Sequence, residues 1–312
     1  MPNWKEVLEE IQEENKKGNK TALDTVRRKY LAKISQKTGR NVIAYYSGWL
    51  QGRNPADVIV NDKDKNAFMV NIHKLDRTKG LDLILHTPGG DLAATESIVD
   101  YLHSIFNKDI RAIIPQISMS AGTLIALSCK EIMMGKQSNL GPIDPQMGGV
   151  ACQAVLDEFE QAKKDIRANP SSAPLWQAII SKYHPTFLGA CQHAIDWSEK
   201  LAEDWLARNM CNGNRDVAKK ILKEFSDHKT QKSHARHISK ANCINTGVSI
   251  VDMEADNDLQ DHILTAHHAF MHTFASSRAS KIVENHLGIA YIENEAMQMS
   301  VPIQFQGPQK RP

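Results

Sequence analysis

Two short turns rich in small residues hold the side chains of this sequence that could do chemistry. The first contains Gly89 and Gly90 and follows the apolar run Leu81–His86, and the second begins at Ser120 and follows the apolar run 110–115. Glycine has no Cβ and lets a backbone N–H group approach a ligand closely. If the two runs are parallel strands of one sheet, a serine hydroxyl stands beside backbone donors. This pairing predicts a nucleophile and an oxyanion hole, the parts that acyl transfer needs.

Each turn also has a plainer interpretation. The glycine pair could be an ordinary strand-to-helix connection, and Ser120 could be the N-cap of the helix that follows it. Ser118 competes locally as a nucleophile, but it lies earlier in the turn and lacks the Ala-Gly pair that follows Ser120. Two such turns on consecutive strand ends are a more specific signal than either turn alone.

The segments that would position these turns alternate between strand and helix. Apolar runs separated by amphipathic segments are typical of a parallel sheet with helices on its faces. Asp91 is a credible N-cap for a helix whose apolar stripe includes Ile98, Val99 and Leu102. Strands are predicted at 41–50, 81–86, 110–115 and 131–134, and helices at 62–79, 92–106 and 121–128.

Beyond Gly149 the pattern becomes mainly helical. Trp176, Trp197 and Trp205 are predicted to fill the core between these helices. A short strand is predicted at 248–251, a last helical region from Leu259 to about residue 287, and a frayed tail at 302–312. The other predicted helical segments are 3–36, 151–167, 174–183, 187–209 and 215–225.

Composition argues against several classes of function. The 312 residues include 38 basic and 36 acidic side chains, and the formal charge of +2 gives no indication of nucleic-acid or membrane binding. No run approaches the roughly 20 apolar residues that span a bilayer, and the first residues lack the pattern of a signal peptide. Five widely spaced cysteines without a CxxC pair predict neither a disulfide framework nor a structural zinc site. We therefore expect a cytoplasmic protein.

Three phrases of the sequence, taken together, resemble one protein family. They are residues 85–91 (LHTPGGD), 118–123 (SMSAGT) and 138–146 (SNLGPIDPQ), and the later phrase 267–274 (HHAFMHTF) is similar too. The chain resembles the serine dehydrogenase proteinase family of the Clp protease/crotonase superfamily, a relative of signal peptide peptidase A. The resemblance implies an α/β fold, a Clp/crotonase-like spiral of parallel-rich β-sheet with surrounding helices and a helical C-terminal half. We expect a helical arm at 1–38, this domain at 39–290 and a tail at 291–312.

By this resemblance Ser120 is the nucleophile, and the N–H group of Ala121, with that of Gly89 or Gly90, forms the oxyanion hole. Clp proteolytic subunits carry a histidine soon after the serine, whereas residues 141–146 contain none, so a Clp-like triad is not expected. Signal peptide peptidase A uses a Ser–Lys dyad, and burial can lower the pKa of a lysine enough for it to take the serine proton. The candidate lysines are Lys182, which we favour, Lys163 and Lys164, with His184 in reserve.

We therefore predict a serine-type peptidase that acts on peptides or unfolded proteins and, by the resemblance, assembles as a homo-oligomer. No cofactor or metal is predicted, because P-loop and GxGxxG sequences are absent and the ligand spacing of His268 and His272 has no accompanying motif. Two alternatives stay open. A crotonase-type enzyme would use the oxyanion hole on an acyl-CoA thioester, with carboxylates as acid and base. A non-catalytic assembly protein would keep the fold without a working base.

Overall fold

A seven-stranded sheet forms the centre of the structure, a computed structural model that describes residues 4–226 and 235–295. In chain order the strands are β1 (Asn41–Ser47), β2 (Leu81–His86), β3 (Ile110–Ile114), β4 (Ile117–Ser118), β5 (Glu131–Met134), β6 (Asn139–Leu140), β7 (Gln146–Met147), β8 (Val150–Ala151), β9 (Ile238–Ser239), β10 (Ile250–Asp252), β11 (Ala279–Asn285) and β12 (Ala290–Asn294). The central sheet has the order β10-β5-β3-β2-β1-β11-β12.

The middle of this sheet is parallel. Strands β10, β5, β3, β2 and β1 run in the same direction, and β11 and β12 add an antiparallel edge. Both β1 and β2 are buried along their whole length, which is expected of parallel strands covered on both faces and explains their nearly continuous apolar runs. The carboxyl ends of β2 and β3 therefore meet at one edge of the sheet.

A second, smaller sheet stands at that edge. It has the order β4-β6-β9, and a bridge between Thr87 and Ser118 joins its first strand to the end of β2. Strands β7 and β8 form a separate hairpin. The two predicted turns therefore lie where the large sheet adjoins the small one.

Helices cover both faces of the central sheet. In chain order they are α1 (Trp4–Lys16), α2 (Ala22–Thr38), α3 (Pro55–Val58), α4 (Lys63–Ile72), α5 (Leu92–Phe106), α6 (Ala121–Leu127), α7 (Cys152–Ala168), α8 (Ala173–Ile180), α9 (Phe187–Arg208), α10 (Arg215–Ser226), α11 (Lys240–Thr246) and α12 (Asn257–Ser276). One apolar cluster packs α4, α5, α6, α9 and α10 against the sheet, and another packs α2 and α12 against it. The predicted fold class is confirmed: a parallel-rich sheet with surrounding helices and a helical C-terminal half.

The N-terminal helices pack on the rest of the chain. Val7 and Ile11 of α1 and Val26 of α2 form a buried cluster with Ala269 of α12. The Asp91 carboxylate accepts a hydrogen bond from the Ala94 N–H group at 2.7 Å, as predicted for the N-cap of α5. The division of the chain at residues 38 and 290 stays a prediction, although β12 continues the central sheet as far as residue 294.

Two predictions about the C-terminal half are wrong. The helix predicted to reach about residue 287 ends at Ser276, and β11 and β12 follow it. Of the three tryptophans predicted in the core, Trp205 is only 5% exposed, whereas Trp197 is 40% exposed and Trp176 is half-buried. Trp197 is exposed because its side of α9 faces a cavity instead of the core. The predicted tail 302–312 lies outside the described residues.

Candidate active site

The first half of the site is the turn that follows β2. Gly89 has a φ angle of 98°, in the left-handed region that favours glycine. Its carbonyl accepts a hydrogen bond from the Val60 N–H group at 2.8 Å, and the Asp91 N–H group donates to the Val60 carbonyl at 2.9 Å. A Cβ on Gly90 would overlap the backbone N and O atoms of Val60. Conformation therefore requires glycine at the first position, and close backbone approach requires it at the second.

The second half of the site is the turn that follows β4. The Met119 N–H group donates to the Thr87 carbonyl at 3.0 Å, which ties the two turns together. Ser120 has φ 49° and ψ −117°, a conformation in which a non-glycine residue is strained. A serine on a strained strand-to-helix turn presents its hydroxyl outward, as in the nucleophile elbow of other hydrolases.

Ser120 does not act as a helix cap. It occupies the N-cap position of α6, but its side chain makes no capping hydrogen bond within the described part of the chain. The residue is half-buried and lies at the wall of a cavity. The plainer interpretation of this serine therefore does not hold in the structure.

The two turns are in direct contact. A Cβ on Gly89 would lie 2.6 Å from the Cβ atom of Ser120 and 2.8 Å from the amide nitrogen of Ala121. Parallel pairing of β2 and β3 brings their carboxyl ends to the same edge of the sheet, and the bridge between Thr87 and Ser118 joins the end of β2 to β4, directly before Ser120. The structure therefore brings together the glycines and the serine that the sequence singled out.

The backbone N–H groups at this contact differ in availability. The Gly89 N–H group donates to the Thr87 hydroxyl oxygen at 3.2 Å. The N–H groups of Gly90 and Ala121 have no acceptor among residues 4–226 and 235–295. An anion bound between the turns could therefore accept hydrogen bonds from these two groups.

Both turns line one large cavity. Its volume is about 660 Å³, and most of its wall is apolar. One side of the wall comes from α9, through residues that recur at helical spacing. The lining residues are Ile59, Pro88, Gly89, Gly90, Asp91, Leu92, Ala93, Ser120, Ala121, Leu124, Ile143, Pro145, Gln146, Met147, Ala190, His193, Ala194, Trp197 and Ser198.

A half-buried serine, free backbone donors and an apolar cavity are the parts of a peptidase site, and comparison with known families agrees. The family of ClpP-like SDH-type serine proteinases matches residues 15–172, about half of the chain. The chain belongs to this family. The match agrees with the family resemblance found in the sequence.

Two relatives that are similar in sequence to this chain are themselves uncharacterized. An uncharacterized protein of Methanocaldococcus jannaschii is 33% identical over 147 residues, which cover 46% of this chain and 51% of the relative. A second uncharacterized protein of the same organism is 43% identical over 105 residues, which cover 34% of this chain and 36% of the relative. The chain thus spans about half, or less, of the length of these relatives.

A solved structure is similar at a lower level. It is a mutant of a membrane-bound stomatin-specific protease, and it matches with a TM-score of 0.40 and 15% identity over 65% of this chain and 79% of that chain. In the described part of this chain, no helix is both long enough and apolar enough to cross a bilayer.

The lysines predicted as general bases lie away from the cavity wall. Lys163 and Lys164 are exposed on α7, and the Lys163 ammonium group pairs with the Glu160 carboxylate at 2.6 Å. Lys182 and the reserve base His184 are exposed in the connection between α8 and α9. None of the four is among the described residues that line the cavity with Ser120.

His193 is the functional candidate that the sequence analysis missed. It lies on α9 and lines the cavity, on the same helical face as Ala190, Ala194 and Trp197. The signal was present in the sequence as a histidine on a stripe of small and aromatic residues at helical spacing. Of this stripe only Trp197 is considered in the sequence analysis, as a core residue, and only the packing of α9 shows that the stripe lines the same cavity as Ser120.

Two other histidines lie beneath the glycine turn. His86 ends β2 and is fully buried, with its ring centroid 5.4 Å from that of His267 on α12. Burial lowers the pKa of His86 to about 4 and lowers the pKa of His267 well below its usual value. Both rings are therefore neutral near pH 7 and lie in the protein interior.

The histidines with metal-ligand spacing pack against the N-terminal helix. The His272 ring contacts Trp4 with centroids 3.9 Å apart and ring planes tilted by 43°, and its Nε2 atom lies 3.1 Å from the Trp4 carbonyl oxygen. The His268 ring lies edge-on to the same tryptophan. Among the described residues, no group of three histidine, cysteine or carboxylate side chains could hold a metal ion.

Proposed function

We propose that this proteinase is an endopeptidase in which Ser120 is the nucleophile. The serine oxygen attacks the carbonyl carbon of a peptide bond while a base accepts the hydroxyl proton. The same base then gives the proton to the leaving amine, which leaves an ester between Ser120 and the acyl part of the substrate. Water, deprotonated by the base, cleaves that ester and restores the serine.

The Gly90 and Ala121 N–H groups are the proposed oxyanion hole. In the tetrahedral intermediate the former carbonyl oxygen carries a negative charge, and donors fixed in advance stabilise it at little reorganisation cost. Gly89, the third residue predicted for this role, has its N–H group engaged by the Thr87 hydroxyl. We therefore assign Gly89 the role of packing against Ser120.

His193 is the proposed general base. Among the described residues that line the cavity, Asp91 carries a carboxylate and His193 an imidazole, and the Asp91 carboxylate already caps α5. A neutral imidazole can accept the serine proton and return it to the amine. The Ser–Lys dyad predicted from the sequence would instead require Lys182, Lys163 or Lys164 to enter the cavity from a second copy of the chain.

The observation that carries the proposal is the position of Ser120, which is half-buried, uncapped and in contact with Gly89 at the wall of an apolar cavity. The test uses a fluorophosphonate probe and hydrolysis of unfolded, dye-labelled casein. The wild type should be labelled by the probe and should hydrolyse casein, whereas Ser120→Ala should do neither. Ser118→Ala, which removes a fully buried hydroxyl two residues away, is the matched control and should keep both. Absence of labelling in the wild type would favour the non-catalytic alternative.

Assembly into a homo-oligomer also remains a proposal. Helix α8 has no buried residue, and its Leu175 is 65% exposed, which supports burial of this helix against another copy. Sedimentation of the wild type and of Leu175→Glu measures the size of the assembly. A smaller particle for the variant is expected, and a monomeric wild type would contradict the proposal.

A further inference from the structure

A buried ion pair lies behind the glycine turn, outside the cavity. The Lys281 ammonium group on β11 donates to the Asp64 carboxylate on α4 at 2.8 Å. Their side chains are only 2% and 1% exposed. A buried pair of this kind is often no more stabilising than apolar residues of the same volume. Stability alone therefore does not explain this ion pair.

The pair anchors the backbone on both sides of Val60. The Lys281 ammonium group also donates to the Ile59 carbonyl at 2.9 Å. The second oxygen of Asp64 accepts from the Asn61 N–H group at 2.9 Å. The residues before and after Val60 are thus fixed by charge-assisted hydrogen bonds, which are stronger than those between neutral groups.

Val60 in turn fixes the turn that contains Gly90. It donates to the Gly89 carbonyl at 2.8 Å and accepts from the Asp91 N–H group at 2.9 Å, so Gly90 is held between two hydrogen bonds. The backbone of Val60 also lies so close to Gly90 that a Cβ there would overlap it. The direction of the Gly90 N–H group is therefore set by Val60.

We infer that the Lys281–Asp64 pair is a positioning device for the proposed oxyanion hole. The inference rests on the proposed function and adds two residues that touch neither substrate nor Ser120. The pair holds Ile59 and Asn61, these hold Val60, and Val60 aims the Gly90 N–H group at the developing oxyanion. Loosening the pair should reduce stabilisation of the transition state more than binding of the substrate, because the apolar wall of the cavity is mostly unchanged.

The test replaces both members of the pair, since removal of one would leave a buried charge. Lys281→Met with Asp64→Asn should lower kcat by about 10- to 100-fold and change KM by less than about threefold. The matched control is Arg27→Met with Glu284→Gln. It removes another fully buried pair, also joined at 2.8 Å and also involving β11, and should leave kcat unchanged. Both double variants are checked for folding by circular dichroism and by urea titration.

Hydrogen exchange provides a readout that does not depend on activity. Peptides that contain residues 58–61 and 88–92 should exchange faster in the Lys281/Asp64 variant and at the wild-type rate in the control. Unchanged exchange in these peptides, unchanged kcat, or an equal loss of kcat in both double variants would overturn the inference. A wild type without Ser120-dependent turnover would refute the peptidase proposal itself, and the catalytic role of the pair with it, while exchange still reports whether the pair holds the turn.

Discussion

Replacement of Gly89 by alanine tests the contact between the two turns most directly. The new Cβ would lie 2.6 Å from the Ser120 Cβ and 2.8 Å from the Ala121 nitrogen, whereas carbon atoms in contact stay about 3.5 Å apart. The turns must therefore separate by most of an ångström. A displacement of about 1 Å in a catalytic group can cost 10²-fold in rate, which is about 2.7 kcal/mol of transition-state stabilisation. We expect kcat/KM for casein hydrolysis to fall by at least about 100-fold.

The control for backbone strain is Gly213→Ala. Gly213 has a φ angle of 89°, close to the 98° of Gly89, but an added Cβ there would meet no atom within 4 Å. Both variants should lose about 1–2 kcal/mol of unfolding free energy from the left-handed conformation, as measured by urea titration. Gly213→Ala should keep its activity. A kcat/KM within about threefold of the wild type for Gly89→Ala, or an equal loss in both variants, would refute the reasoning.

Three further predictions concern the site and a buried histidine near it. Ser120→Gly should be about 1–3 kcal/mol more stable to urea than Ser120→Ala, because glycine adopts the positive φ angle without strain. Neither variant should be labelled by a fluorophosphonate. Equal stabilities of the two variants would argue against strain at this position. His193→Gln should lower kcat by at least about 100-fold while Lys182→Gln keeps it, and the reverse result would favour the Ser–Lys dyad. Lowering the pH from about 7.5 to about 5 should reduce the unfolding free energy of the wild type by about 2 kcal/mol more than that of His86→Phe. The sign follows because the buried ring, with a pKa of about 4, stays neutral while the unfolded chain binds a proton near its ordinary pKa of about 6.5.

The parallel strands were predictable because their burial is visible in single segments of sequence. Strand β2 lies between fully covered faces, so its run is mainly apolar, and the amphipathic stripe and Asp91 cap of α5 are equally local. Strand β11 was not predictable in this way. It is buried along its whole length, yet it contains Lys281, Glu284 and Asn285. Each of these polar side chains is satisfied by a partner more than 200 positions away, which no local pattern reveals.

The candidate site divides in the same way. Ser120 and the glycine turn belong to segments of recognisable pattern whose meeting follows from sheet topology. His193 and the cavity wall depend instead on where α9 rests, and that position is set by packing of residues such as Trp205 and Leu206 in the core. The lysines were chosen by their position along the chain, which does not show whether a side chain reaches the cavity. Lys163 and Lys164 are exposed on α7, and Lys182 is exposed after α8.

The conformation of Ser120 argues for chemistry at this position. The turn is held by bonds on both sides of the residue: the Gly122 N–H group donates to the Met119 carbonyl at 2.8 Å, and the Thr123 hydroxyl donates to the Ser118 carbonyl at 3.0 Å. These bonds impose a positive φ angle that glycine would adopt without strain, and serine there costs about 1–3 kcal/mol. In the described part of the chain, the Ser120 side chain makes no capping hydrogen bond that would offset this cost. A fold required only for assembly would be more stable with glycine at this position, so the strained serine is best explained by what its hydroxyl does in the cavity.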